Sequence, residues 1–372
     1  VSGMPPVRPE DREEARSWLD FTLRRLSPSV QRKLLARFGA PDSVLAQPLS
    51  TVRAEFGAEV AQALAAAPPS EAIETALAWL DDVRHHLLTL ADAAYPRNLL
   101  ALADAPLVLY VVGDPGTLIR PAVAIVGARR ATPGGLENAR AFARALAERG
   151  FVVVSGLALG VDAAAHEGAL EAEDGRTVAI VGTGADRVYP AKHRGLAHRI
   201  AERGAIVSEF PLGTAAQPYH FPRRNRLIAA LARGTLVVEA APESGSLITA
   251  RLAAELGRDV FAIPGSIHNP LARGCHRLIR EGAKLVERVD DLLEEWPDLV
   301  PTGAVARPSP TTPPPVAADD PLLTALGHDP VDFDTLMQRT GLTSEALSAM
   351  LLPLELDGAV VRLPGGRYQR TR

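Results

Sequence analysis

Hydrophobic and polar positions fall into three successive patterns along this chain. Between residues 10 and 67 the apolar residues recur at helical spacing: Leu19, Leu23 and Leu26, then Leu34, Leu35 and Phe38. Leu26-Ser27-Pro28-Ser29 reads as the stop of one helix and the cap of the next. Residues 68–120 read as a connecting segment with one strand over 107–112. From 121 onward, short continuous apolar runs alternate with helical patterns. Strands are expected at 123–126, 151–155, 177–181, 205–208, 235–239 and 259–263. This alternation predicts an open α/β sheet, mostly parallel, with helices on both faces and an end near Trp296. Residues 297–321 are rich in Pro, Thr and Ala and read as an extended linker. Beyond them, helices are expected over 322–326, 333–339 and 344–356, with Thr343-Ser344 capping the third and a two-stranded hairpin over 360–369.

The domains expected are therefore 1–67, a small helical unit resembling sterile-alpha-motif (SAM) and helix-hairpin-helix (HhH) modules; 68–120, connecting; 121–296, a Rossmann-like core; 297–321, linker; and 322–372, winged-helix-like. A chain of 372 residues has room for such a division. Its net charge of −4 argues against a generically basic nucleic-acid binder, but clustered cations would escape that total. Only Lys33, Lys192 and Lys284 are lysines, and none follows a glycine, which excludes a Walker-type phosphate loop. The single cysteine, Cys275, rules out internal disulfides and suits a reducing cytoplasm. No apolar run reaches the roughly 20 residues of a membrane span, and no secretory leader is read. The helix over 344–356 contains Glu345 and Glu355 and no Lys or Arg, so protein contact or packing suits it better than a DNA groove.

Candidate chemistry gathers at the ends of the predicted strands, where open α/β sheets bind ligands. The first strand runs into Gly127-Ala128-Arg129-Arg130. In a dinucleotide fingerprint the position of Arg129 would be glycine, so the junction offers a fixed cation instead of bare backbone. Small residues follow at the other strand ends: Ser155, Gly156, Ala158 and Gly160; Gly182 and Gly184; Ser244, Gly245 and Ser246 before a helix. Together they describe a pocket whose backbone can approach a ligand. Three basic clusters face the same edge: Arg129/Arg130, Lys192/Arg194 and Arg223/Arg224/Arg226. Separated cations suit successive phosphates, and Tyr189, Tyr219 and Phe221 stand beside them, the combination that single-strand binders use. Asn225 either reads a base edge or caps a helix at Leu227. Asp162 and His166, four apart, can face one another and buttress a turn. Glu209 and Glu239 are the carboxylates placed for acid–base work, and no metal-ligand spacing is present.

Several stretches together resemble the DNA-processing protein A (DprA/Smf) family: Val123–Arg129, Ser155–Leu170, Val188–Lys192, Ser208–Gly213, Phe221–Leu227, Glu239–Thr249 and Ala262–Ala283. The resemblance implies a Rossmann-like domain that binds single-stranded DNA without nucleotide hydrolysis or a cofactor. It implies a homodimer, through roughly Leu256–Val289, that helps load the RecA recombinase during natural transformation. Carried over by motif, Arg129, Lys192 and the Arg223–Arg226 segment are DNA contacts, and Ser155, Gly156, Gly160, Gly182, Gly184, Ser244 and Gly245 shape the pocket. Two positions depart from the family pattern: His276 replaces an asparagine, and no aromatic residue follows Lys192 directly. The superfamily shape also resembles nucleotide phosphoribohydrolases, whose catalytic glutamate lies near a Pro-Gly-Gly loop. Here Pro133-Gly134-Gly135 sits in the first turn, and the late-sheet loop is Pro264-Gly265-Ser266.

Overall fold

A computed structural model describes residues 9–299, 321–327 and 329–370. Six helices come first: α1 (Pro9–Thr22), α2 (Pro28–Phe38), α3 (Pro41–Leu45), α4 (Leu49–Phe56), α5 (Ala58–Ala65) and α6 (Ser70–Trp79). Ser27 caps α2 as its sequence context requires, accepting from the N–H of Val30. Trp18, Leu34, Val52, Leu64 and Leu77 form one core with Leu107, Val108 and Tyr110.

The 68–120 segment is thus more than a connection. Its helix α6 completes the helical core, and its strands β1 (His85–Thr89) and β2 (Val108–Gly113) extend the main sheet. The His85-His86 start hides β1 from a hydrophobicity pattern.

The central unit then alternates strand and helix. It contains β3 (Ala122–Val126), α7 (Pro133–Glu148), β4 (Val152–Ser155), α8 (Val161–Glu171), β5 (Thr177–Ile180), α9 (Arg194–Arg203) and β6 (Ala205–Ser208). It continues with α10 (His220–Leu231), β7 (Gly234–Val237), α11 (Gly245–Glu255), β8 (Asp259–Ala262), α12 (Arg273–Arg280), the two-residue β9 (Lys284–Leu285) and α13 (Val289–Leu293).

Among the described residues the sheet has nine strands, ordered β1-β2-β6-β5-β4-β3-β7-β8-β9. Strands β6 through β9 run parallel; β2 pairs antiparallel with β6, and β1 antiparallel with β2. Side chains of β3 alternate between two cores. Ala124 and Val126 pack with Leu227, Ile228 and Ala250, whereas Val123 and Ile125 pack with Ala139, Phe142, Leu146 and Val161. Helices α10 and α11 therefore cover one face, and α7 and α8 the other. Strands β4, β5 and β6 step away on one side of β3, and β7 returns on the other. The crevice outside β3 and β7 is the point where such a sheet binds ligands.

Trp296 closes this unit, buried against Phe151 and Phe261 and donating to Asp259 at 2.7 Å. Of the stretch read as a linker, residues 300–320 lie outside the described residues. The last unit comprises α14 (Pro321–Leu326), β10 (Val331–Asp332), α15 (Phe333–Thr340), α16 (Ser344–Leu356), β11 (Val360–Leu363) and β12 (Arg367–Arg370). It is a winged helix with a core of its own around Leu326, Leu336, Leu347 and Leu351. Strand β12 pairs with both β11 and the short β10, which the sequence pattern does not reveal. Among the described helices none is long and apolar enough to cross a membrane.

Candidate nucleic-acid interface

A cavity of about 620 Å³ opens at the β3/β7 switch point. Its wall is contributed by the β3 turn (Gly127, Arg129), the β4 turn (Ala158, Asp162), Tyr189, one side of α10 and the start of α11 (Ser244, Gly245, Ser246). The structure thus brings together Gly127, Arg129, Ala158, Phe221, Asn225, Ser244, Gly245 and Ser246 of the sequence-predicted set.

Helix phase decides which cations of α10 take part. The helix begins at His220, so Phe221, Arg224, Asn225 and Ile228 share the cavity side. Arg223 and Arg226 point elsewhere and both pair with the buried carboxylate of Glu209. Arg226 also meets Asp104 at 3.1 Å, and Arg223 lies over the Phe210 ring. Arg223 and Arg226 therefore stand outside the cavity wall, and the two arginines hold Glu209 through its Oε2. Burial raises the Glu209 pKa while the two arginines pull it down. The early start also removes the capping reading of Asn225, which lies within α10 and donates to the Gly245 carbonyl at 3.4 Å.

Arg224 is the residue that pattern reading undervalued. It is 4% exposed and lines the cavity. Its Nη1 donates to the Ile180 carbonyl, and its Nε has no partner among the described residues. Burial pushes its pKa down to about 10, with Asp162 acting in the opposite direction, so it stays cationic at neutral pH. Gly156 is required here: a Cβ at that position would fall on the Arg224 guanidinium. The i, i+3, i+4 phase from Phe221 is the signal that could have found Arg224.

Asp162 holds the β4 turn in place. Its Oδ2 accepts from the N–H groups of Gly156 (3.1 Å) and Ala158 (3.3 Å). Burial raises its pKa, and Arg224 and these amides oppose the shift. His166 does not face it; its Nδ1 meets Thr177 Oγ1 at 2.6 Å. Thr177 already donates to the Val153 carbonyl, so its hydroxyl accepts from Nδ1–H, and Nε2 is buried with no partner among the described residues. Burial drives the His166 pKa down to about 3.

Other predicted pocket residues serve the frame. Ser155 Oγ donates to the Ile125 carbonyl at 2.7 Å inside the sheet, so it faces the neighbouring strand and not a ligand. Gly160 has φ +79°, and a Cβ there would strike the Ala128 carbonyl. Gly127 is needed for close approach: a Cβ would sit 2.6 Å from Val161 Cγ2. Gly182 lies against the Phe221 ring, and Gly184 against Asp186 and Pro211. Arg130, Lys192 and Arg194 are exposed and stand outside the cavity wall. Between the last two, His193 is buried and bonds to the Leu157 carbonyl, anchoring the basic turn. Arg129, Arg130, Lys192 and Arg194 have no carboxylate within ion-pair distance among the described residues.

The aromatic residues are better placed than a core assignment would allow. Tyr189 is 52% exposed with its ring 5.7 Å from Phe221, and Arg129 stacks over Phe221 at 5.6 Å. Tyr219 is 68% exposed nearby on the chain.

Glu239 occupies the turn that dinucleotide folds keep for pyrophosphate. Its carboxylate accepts from Thr132 N–H at 2.8 Å and Thr132 Oγ1 at 2.7 Å, at the N-terminus of α7. Burial raises its pKa despite these bonds. Both oxygens tie β7 to the β3 turn, and Glu239 is not among the residues that line the cavity. Among the described residues no three His, Cys, Asp or Glu side chains are grouped to hold a metal.

Comparison with known proteins decides the lineage. Residues 86–297, more than half the chain, match the family model of DNA recombination-mediator protein A, and residues 306–366 match the DprA winged helix domain. The chain is 41% identical to protein Smf of Escherichia coli over 312 residues, 82% of each chain. This chain belongs to the DNA processing protein A family. It is 45% identical to DprA of Streptococcus pneumoniae over 208 residues, covering 56% of this chain and 73% of that protein. The X-ray structure of the S. pneumoniae family member superposes with a TM-score of 0.63 at 34% identity, covering 78% of this chain and 99% of that one. The Helicobacter pylori member, whose structure concerns a unique single-stranded DNA binding mode, superposes at 0.52 and 32% identity over 57% of this chain and 96% of that one. As a family member the chain is a recombination mediator.

Proposed function

We propose that this protein binds single-stranded DNA across the switch-point cavity, without catalysing a reaction on it, and helps load RecA onto incoming DNA during natural transformation. One observation carries the reading. Cations with no ion-pair partner among the described residues, Arg129, Arg130, Lys192 and Arg194, lie at the strand-end edge of the sheet with the Tyr189 and Phe221 rings. The cations meet successive phosphates and the rings stack bases. The single-stranded DNA binding described for the H. pylori relative supports it. The protein acts in the cytoplasm as a homodimer through roughly Leu256–Val289, where an open groove lined by Leu247, Val260 and Leu278 runs between α11 and α12.

Fluorescence anisotropy with labelled oligothymidylate tests the site. Changing Arg129→Ala and Lys192→Ala together should weaken binding roughly 10- to 100-fold and flatten the salt dependence by about 1.4, at about 0.7 per lost contact. Unchanged affinity rejects the assignment. RecA loading is read by strand assimilation on DNA precoated with a competing single-strand binder. The phosphoribohydrolase reading draws on one observation, that the Glu239 carboxylate lies against Gly135 of Pro133-Gly134-Gly135. Thr132 engages both its oxygens. Release of free base from nucleoside monophosphates would restore that reading.

A further inference from the structure

We infer that the outward face of α16, in the winged helix, is a docking surface for a partner protein, and that the partner presents an amphipathic helix with an aliphatic stripe rimmed by Lys or Arg. This goes beyond the DNA reading and does not depend on it.

The phase of α16 defines the surface. Leu347 and Leu351 are buried in the winged-helix core, and Leu354 packs against it. The opposite side of the helix carries Glu345, Ala349, Leu352, Pro353 and Leu356, spaced i, i+4, i+7, i+8 and i+11. The outward face of a surface helix is ordinarily polar. Here Leu352 is 57% exposed and Leu356 79%, and Ala349 and Pro353 are exposed beside them. A helix that is apolar on both sides needs a cover for the second side. Contiguous exposed apolar surface of this kind marks an interaction site.

Hydrogen bonding and charge set the chemistry of the occupant. Pro353 has no N–H, so the Ala349 carbonyl, four residues before it on the same face, lacks its helical donor. Glu355 and Asp357 flank Leu356 at the negative end of the helix dipole, where a cation is favoured, and no cation stands in that turn. The whole of α16 contains no Lys or Arg. An aliphatic stripe with a positively charged, donor-bearing rim answers the leucines, the carbonyl and the acids together. The same charges disfavour other occupants. Two copies of α16 would set Glu355 and Asp357 against Glu345 when antiparallel and against themselves when parallel. DNA and anionic lipid would be repelled. Residues 300–320 are Pro-rich and end in Asp319-Asp320, so they offer neither the stripe nor the charge.

Two labelled helical peptides sharing one leucine stripe, flanked by Lys and Arg in the first and by Glu in the second, test this by fluorescence anisotropy with the full-length protein. The cationic peptide should bind at least about 10-fold more tightly than the acidic one. Leu352→Ser together with Leu356→Ser should weaken it about 10-fold or more, as loss of central apolar anchors does. The melting temperature should hold, because both side chains face outward. Glu355→Gln with Asp357→Asn should weaken it about 3-fold and flatten its salt dependence. The inference is overturned if wild type binds neither peptide or prefers the acidic one. It is also overturned if the leucine variant keeps wild-type affinity for the cationic peptide, which would reduce the binding to adhesion by net charge. Sedimentation covers a second copy: self-association that is lost with the two leucines and not displaced by the cationic peptide assigns the face to pairing between copies. Loss of oligothymidylate affinity in the leucine variant assigns it to DNA, and the inference fails.

Discussion

Replacing Glu239 by alanine probes the tie between β7 and the β3 turn. The carboxylate accepts two hydrogen bonds from Thr132, both under 3 Å. Hydrogen bonds to charged groups contribute about 1.5–3 kcal/mol each, but Thr132 is only half-buried and water can replace part of what is lost. We expect a loss of about 2–3 kcal/mol, or a fall in melting temperature of about 5–10 °C for a domain of this size. The structure supplies a sharper internal test. An ideal Cβ at Gly135 would lie 2.5 Å from Glu239 Oε2. Gly135→Ala alone should therefore destabilise by about 1–3 kcal/mol through overpacking. With Glu239→Ala the obstruction disappears, and alanine in α7 should gain about 0.5–1 kcal/mol over glycine. The sign of the Gly135→Ala effect should invert between the two backgrounds. Urea denaturation of the four proteins measures this coupling. Additive effects, or an unchanged midpoint in Glu239→Ala, would refute the structural role given to this carboxylate.

Two further outcomes follow from buried groups. His166 is held neutral with a pKa near 3, so the unfolded chain binds a proton below about pH 6.5 that the native state refuses. Its contribution to stability is present above that pH and is lost at roughly 1.4 kcal/mol per unit as pH falls toward 3; His166→Asn, which can still donate to Thr177, should flatten this dependence between pH 6.5 and 4 in chemical denaturation, and an identical profile would contradict it. Cys275 is fully buried with its thiol pushed up to about 12, so labelling by an aromatic disulfide at pH 8 should be slowed roughly thousandfold relative to the unfolded chain; stoichiometric reaction within seconds would count against the placement.

Much of the frame was legible because it is local. A run such as Val123–Val126 is apolar on both faces, which only a covered parallel strand tolerates, and the structure has β3 at Ala122–Val126. The caps at Ser27 and Thr343 depend on neighbours one to three residues away. The pieces that escaped were short or polar: β1 begins His85-His86, and β9 and β10 have two residues each. Such strands exist because a neighbour offers hydrogen bonds, and no periodicity records that.

The amino-acid order alone determined the α/β architecture, the family and the strand ends that carry the chemistry, since each is written in spacing or motif. Tertiary structure decided which members of those motifs act together. Three arginines within four residues, Arg223, Arg224 and Arg226, look equivalent in sequence. The start of α10 at His220 turns Arg224 and Asn225 toward the cavity and sends Arg223 and Arg226 to Glu209. Thr132 and Glu239 are 107 residues apart, and only the crossover that sets β7 beside β3 brings them together. Helical phase and strand adjacency are properties of the packed chain, and they separate the cations free to meet a phosphate from those already neutralised.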